Sequence, residues 1–222
     1  MDIRMIKDIL RLKYSGGLSH ECRARWRPDR QDRQDRGSLL FSTMIKPANK
    51  IHLHTMSKKS FQSLFAQKSW ANNELFNALA PVAAEQGAES VHMAIRMLNH
   101  IYVVDRIFQA HLRGEPHGYA ATNTEATPDL GELQFAVAEL DAWFEGYAGT
   151  VTAHQLDEPI SFHFTDGDAG TMSREEMLFH VITHGSYHRG NVGQMMKAIS
   201  VAPPRDLYTK FLHVREPSRR QV

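Results

Sequence analysis

The chain has 222 residues, 42% of them hydrophobic and 23% charged, with a formal net charge of +1. That length and apolar content suit one ordinary globular domain with an appendage. No run of about 20 apolar residues is present that could cross a membrane as a helix. The single cysteine, Cys22, excludes an intramolecular disulfide, and a reducing, cytoplasmic setting is the simple expectation.

The charge is unevenly spread. Residues 1–55 hold 12 Lys/Arg and 6 Asp/Glu, a balance of +6, whereas residues 56–222 hold 14 and 19, a balance of −5. The acidic majority gives no electrostatic support for binding nucleic acid.

Taken in chain order, residues 1–14 predict a short amphipathic helix through Ile3, Ile6, Ile9, Leu10 and Leu12, broken by Ser15-Gly16-Gly17. Residues 23–36, RARWRPDRQDRQDR, repeat Asp-Arg-Gln and offer almost nothing to bury. Such a segment cannot offset its ordering entropy, so disorder is expected. Residues 6–21 resemble the opening of the helix-turn-helix region of certain insertion-sequence transposases. The sequence after Glu21, however, lacks the apolar pattern of a recognition helix. Residues 1–55 are therefore expected to be a basic, disordered extension, with Met56 or Met44 as the expected biological start.

From Ser57 the pattern becomes helical. Ser60 is placed to cap a helix reaching about Ala80, with Phe61, Leu64, Phe65, Leu75, Phe76 and Leu79 on one face and Pro81 at its end. A second helix is predicted from about Glu89 to Leu112, stopped by Gly114 and Pro116. A third follows Thr127-Pro128 and runs to about Tyr147 on the stripe Leu133, Val137, Leu140, Phe144 and Tyr147. A fourth opens at Ser173, with Glu176 three residues on as a capping box, and runs to about Ile199 before Pro203-Pro204. Between the third and fourth, Ile160-Ser-Phe162-His-Phe164 alternates as a strand does and Asp166-Gly167 supplies turn chemistry, so a short β-hairpin is expected there. Four amphipathic helices imply an all-α four-helix bundle with two long connections. The bundle is assigned to residues 56–215, and residues 216–222 are expected to be a flexible tail.

Residues 56–222 contain ten histidines, and helical phase sorts them. At about 100° per residue, His184 and His188 fall at the centre of the fourth helix's stripe of Met177, Val181, Val192, Met195 and Ile199. His180 lies to one side of that stripe, and Asn191 also flanks it. On the second helix His100 sits among Met93, Met97, Val104 and Ile107. His111 shares that face but lies roughly 16 Å further along the axis, too far to serve the same ion. Two imidazoles at i and i+4 converge on a cation, and a third from a neighbouring helix completes a three-nitrogen set with an open position. The alternative is three core histidines satisfied by ordinary hydrogen bonds. His-x-x-x-His here lacks the glutamate of His-Glu-x-x-His, so a zincin-type protease mechanism has no supporting residue.

Other residues carry paired readings. Asn72 lies on the first helix's apolar face, where it either orients a ligand histidine or bonds helix to helix. Arg189 either clamps an anionic substrate or, the favoured reading, pairs with a carboxylate of the third helix or a loop. Gly185 and Gly190 reflect close helix contact, an approaching ligand or simple tolerance. Trp70 and Tyr187 point off the stripes and are candidate interface residues, while Met93, Met97, Met195 and Met196 are candidate core or pocket lining.

Three segments carry a resemblance. LFHVITHGSYHRGNVGQMM (178–196) resembles the fourth-helix signature of the DinB / YfiT-like family, His-Gly-x-x-His-Arg-Gly. MLNHIYVVDRIFQAHL (97–112) is similar to that family's second helix, and QKSWANNELFNAL (67–79) to its first-helix Trp-Ala-Asn motif. The resemblance covers about 160 residues in order. It implies a DinB-type four-helix bundle in which His100, His184 and His188 are the metal ligands, while Asn72, His180, Arg189 and Asn191 are, from their positions on the helices, candidate surrounding or substrate contacts. Better-characterised members are metal-dependent enzymes that use low-molecular-weight thiols, including thiol S-transferases and a maleylpyruvate isomerase, and relatives are commonly homodimers.

The expectation is thus an enzyme with one divalent ion, zinc by preference, with nickel, manganese and iron also accepting histidine. The ion would activate an external thiol or water against a small electrophilic substrate. Two alternatives stand beside it, a non-catalytic metal-binding stress protein and a nucleic-acid-associated protein acting through the basic N-terminal segment.

Overall fold

In the computed structural model, residues 58–85 and 89–220 are described. The expectations for residues 1–55 fall outside them. The elements in order are α1 (Lys58–Glu85), α2 (Glu89–Arg113), α3 (Leu130–Thr150), the one-turn α4 (Ala153–Leu156), β1 (Pro159–His163), β2 (Ala169–Ser173), α5 (Arg174–Ala198), α6 (Tyr208–Arg215) and a 3-10 turn at Pro217–Arg219. The architecture is an all-α bundle of α1, α2, α3 and α5 with a two-stranded antiparallel hairpin between α3 and α5. Among the described residues no helix is long and apolar enough to cross a membrane.

The helix ends follow local chemistry. At α5 the Ser173 hydroxyl accepts from the Glu176 N–H at 3.1 Å, and the Glu176 carboxylate accepts from the Ser173 N–H at 2.7 Å, a closed capping box. Asp129, not singled out from the sequence, caps α3 by accepting from the Gly131 and Glu132 N–H groups. Helix α1 runs past Pro81 to Glu85 instead of ending at Ala80. Proline removes a single backbone donor, and near a helix end that loss interrupts the ladder only locally. In the hairpin, Ile160 pairs with Met172 and Phe162 with Gly170, and Gly167 turns the chain at φ +94°.

Packing is strongest between α1 and α3 and between α2 and α5. An apolar layer of Phe61, Phe65, Phe108, Leu140, Phe144, Met177, Leu178 and Val181 fills the bundle toward the hairpin, which adds Phe162. After α5 the chain turns at Ser200, with φ +61°, and α6 returns to lie on α1. There Phe211 is buried with its ring 5.8 Å from that of Trp70, and the Tyr208 and Ser63 hydroxyls meet at 2.7 Å. Helix α6 was not foreseen. Its eight residues carry one buried apolar side chain, too few for a helical period to show in the sequence. The segment after residue 215 carries the 3-10 turn, with Arg219 paired to Glu216 at 2.7 Å.

Candidate metal centre

About one turn beyond the apolar layer the core becomes polar. Helix α2 presents His100 and α5 presents His184 and His188, and each ring offers one nitrogen within 4.8 Å of the others. Ring centroids lie 5.0 Å apart for His100–His184, 4.8 Å for His100–His188 and 4.4 Å for His184–His188. His100 and His188 are buried and His184 is half-buried. Met97 of α2 and Val192 and Met195 of α5, one to two turns further along the same helices, are buried.

The closest approach is 3.1 Å, between Nε2 of His100 and Nε2 of His184. The proton on His100 is assignable. Its Nδ1 lies 2.8 Å from the Thr122 carbonyl oxygen, which only accepts, so Nδ1 carries the hydrogen and Nε2 presents a bare lone pair. Two nitrogens bound to one tetrahedral ion at about 2.0–2.1 Å would stand about 3.3 Å apart, close to the observed spacing. Burial, reinforced by the neighbouring imidazoles of His188 and His100, pushes His184 down to about 2, and burial likewise lowers His100. His100 and His184 are therefore neutral, the form that ligates. Nδ1 of His184 is buried and takes no hydrogen bond from the described residues, a cost that ordinary core packing does not offset. The donor set fits a divalent cation of the zinc type, with no carboxylate in it to favour a harder ion.

The long α2–α3 connection builds this tautomer. The Asn99 amide donates to Thr124 Oγ1 at 2.6 Å and to Asn123, and the Asn123 amide donates to the Arg96 carbonyl at 2.9 Å. Arg96 in turn donates to the Thr124 carbonyl at 2.6 Å. These bonds fold residues 122–126 back over α2 and set the Thr122 carbonyl against His100.

The other singled-out residues fall into place unevenly. His180 stacks on Phe108, with centroids 4.5 Å apart, and edges the triad at 5.3 Å from His184. The Asn191 amide lies 3.4 Å from Nδ1 of His188. His111 packs on Phe162 and His117 instead. Tyr187 is exposed, with its ring 5.0 Å from that of His188. Asn72 and Arg189 belong instead to a buried charged network.

Lys68, fully buried on α1, donates to Asp105 of α2 at 2.8 Å and to Asp141 of α3 at 2.6 Å. The second Asp141 oxygen accepts from the Asn72 amide at 2.7 Å, and the Asn72 oxygen accepts from Arg189 Nη1 at 3.3 Å. Arg189 Nε then donates to Asp206 at 2.8 Å, and Gln67 also donates to Asp206. Burial pushes Asp105 up to about 6 against the pull of Lys68, while its two carboxylate partners hold Lys68 charged. Gly185, between the two α5 histidines, gives this network its space. A Cβ there would lie 3.1 Å from Arg189 Nη1 and 3.3 Å from Lys68 Cε, so the glycine marks close helix contact. The sequence reading missed Lys68, Asp105 and Asp141, although a signal was present. Each falls in phase with the buried residues of its own helix: Phe65 and Leu75 for Lys68, Ile101 and Phe108 for Asp105, Val137 and Phe144 for Asp141.

Residues 56–220 match the profile described as the DinB family. The Protein DinB of Bacillus subtilis (strain 168) is 26% identical over 173 residues, an alignment that covers 74% of this chain and 99% of that protein.

Proposed function

The chain belongs to the DinB family, and from that premise and the three converging imidazoles we propose that it is a metal-dependent enzyme that presents a thiol or water to a small electrophile. The single observation that carries the reading is the bare Nε2 of His100 facing Nε2 of His184 at 3.1 Å, with His188 completing the set.

When bound, a divalent ion held by His100, His184 and His188 would lower the pKa of a coordinated thiol or water and hold the resulting anion. The chain's own residues prepare for this. The Thr122 carbonyl fixes the His100 tautomer and the Asn191 amide flanks His188. Burial keeps His184 and His100 unprotonated. Three neutral ligands leave the ion's double positive charge uncancelled, which favours an anionic sulfur or oxygen. The thiol must come from outside, because the described domain has no cysteine. In the transfer, sulfur bonds to the electrophilic carbon, the leaving group departs with the bonding pair, and the thiol proton passes to water. We place the enzyme in the cytoplasm, as a homodimer acting on a small molecule.

The test uses the full chain purified without an affinity tag, a low-molecular-weight thiol and 1-chloro-2,4-dinitrobenzene. Thioether formation should be faster with zinc-loaded wild-type protein than with metal-free protein or with His184→Ala. Metal binding with identical rates in all three would leave a non-catalytic metal-binding protein as the better reading.

A further inference from the structure

The charged network beside the triad contacts every long helix of the bundle. It reaches α2 through Asp105, α3 through Asp141 and α5 through Arg189, all from Lys68 and Asn72 of α1. We propose that Lys68 is a positioning residue for the metal ion: through this network it braces α5, which carries His184 and His188, against α2, which carries His100. The proposal rests on the metal-site reading given above.

Two observations support it independently. The first is location. Lys68 Cε lies 3.3 Å from where a Gly185 Cβ would stand, so the Lys68 side chain of α1 comes close to α5 within the turn that holds both α5 histidines. That approach is next to His184 in sequence and within the turn that leads to His188. The second is that the network is a poor stability device. Lys68, Asp105, Asp141 and Arg189 are each 3% exposed or less, and Asp105 Oδ1 is buried and receives no hydrogen bond. Well-packed apolar residues often match or exceed such buried ion groups in stability, so fixing a specific register is the better account. The order of attachment agrees with this. Arg189 adjoins His188 in sequence, and Asp105 lies on α2 little more than a turn beyond His100.

The experiment compares full-chain wild type, Lys68→Met/Asp105→Asn/Asp141→Asn and Gly185→Ala, each titrated with Zn(II) and, separately, with Co(II) while visible absorption is recorded. The triple variant removes the Lys68, Asp105 and Asp141 charges together, and Arg189 keeps its partner Asp206. Its far-ultraviolet circular dichroism should match wild type, its Zn(II) affinity should fall about 10–100-fold, the range typical of residues that orient ligands, and its Co(II) bands should shift. A purely structural network would lower the melting temperature and leave the Co(II) bands of the folded protein unchanged. Wild-type affinity and bands in a folded triple variant overturn the proposal. If the triple variant does not fold, Gly185→Ala decides: altered Co(II) bands support the brace and unaltered bands overturn it. A wild-type chain that binds neither ion overturns the metal-site reading itself, and this is seen before any variant is compared.

Discussion

Nε2 of His100 and Nε2 of His184 face each other at 3.1 Å across the α2–α5 interface. With Nδ1 of His100 committed to the Thr122 carbonyl, the gap must hold either a proton on His184 or a cation.

Replacing His100, His184 or His188 by Ala should each abolish tight Zn(II) binding, while His180→Ala and His111→Ala weaken it much less. His180 only edges the triad and His111 packs on Phe162. Helicity by circular dichroism should persist in all five, because the apolar layer of Phe65, Phe144 and Met177 is untouched. Loss of metal in His180→Ala with retention in His184→Ala would mean that the ligand set is wrong.

Acid should destabilise the metal-free protein through these same histidines. The fold holds His184 at about 2 and His100 below its ordinary 6.5. The unfolded chain therefore binds more protons than the folded one once the pH drops below about 6.5, and stability is full above that value and declines as pH falls toward the folded values. Thermal melts of metal-free wild type between pH 7 and pH 4 should show that decline, and His184→Leu should show a shallower one. Equal slopes would contradict buried neutral imidazoles.

Removing Lys68 alone should be severe. Lys68→Met leaves Asp105 and Asp141 facing each other in the core without their shared ammonium. Breaking a buried pair this way costs about 3–5 kcal/mol. Urea denaturation should show that loss, and neutralising both aspartates in the same chain should recover much of it. A loss under about 1 kcal/mol would place the ammonium in water, where ion pairs contribute little.

Deleting residues 1–55 should leave the melting temperature and metal content unchanged. The segment has no sustained apolar period and no cluster of ligands beyond the weak pair His52 and His54. A drop of more than a few degrees would show that it packs on the bundle.

The bundle was legible because its helices are long enough for the apolar period to repeat, and because Ser173-x-x-Glu176 and Asp166-Gly167 announce a helix start and a turn. Phase placed His100, His184 and His188 on buried stripes and left core histidines as an alternative; the resemblance singled out the three together, and the structure brings them within 4.8 Å. Helix α6 was not, because Phe211 is its one buried anchor and what it covers, Trp70, lies about 140 residues earlier. The lysine network was overlooked for a different reason. A charged residue in phase with a stripe reads as an interruption until its partners on other helices are seen, and Lys68, Asp105 and Asp141 come from three. Thr122 contributes only a carbonyl, so no side-chain pattern could have marked it.

The three-histidine site is tested by a Zn(II) titration of the tag-free full chain, with metal content measured after dialysis and repeated with a His100→Ala/His184→Ala/His188→Ala chain. A three-histidine site predicts about one ion per wild-type chain and none retained by the triple variant at equal helicity. A wild-type chain that retains no ion, or a triple variant that retains one, would contradict it.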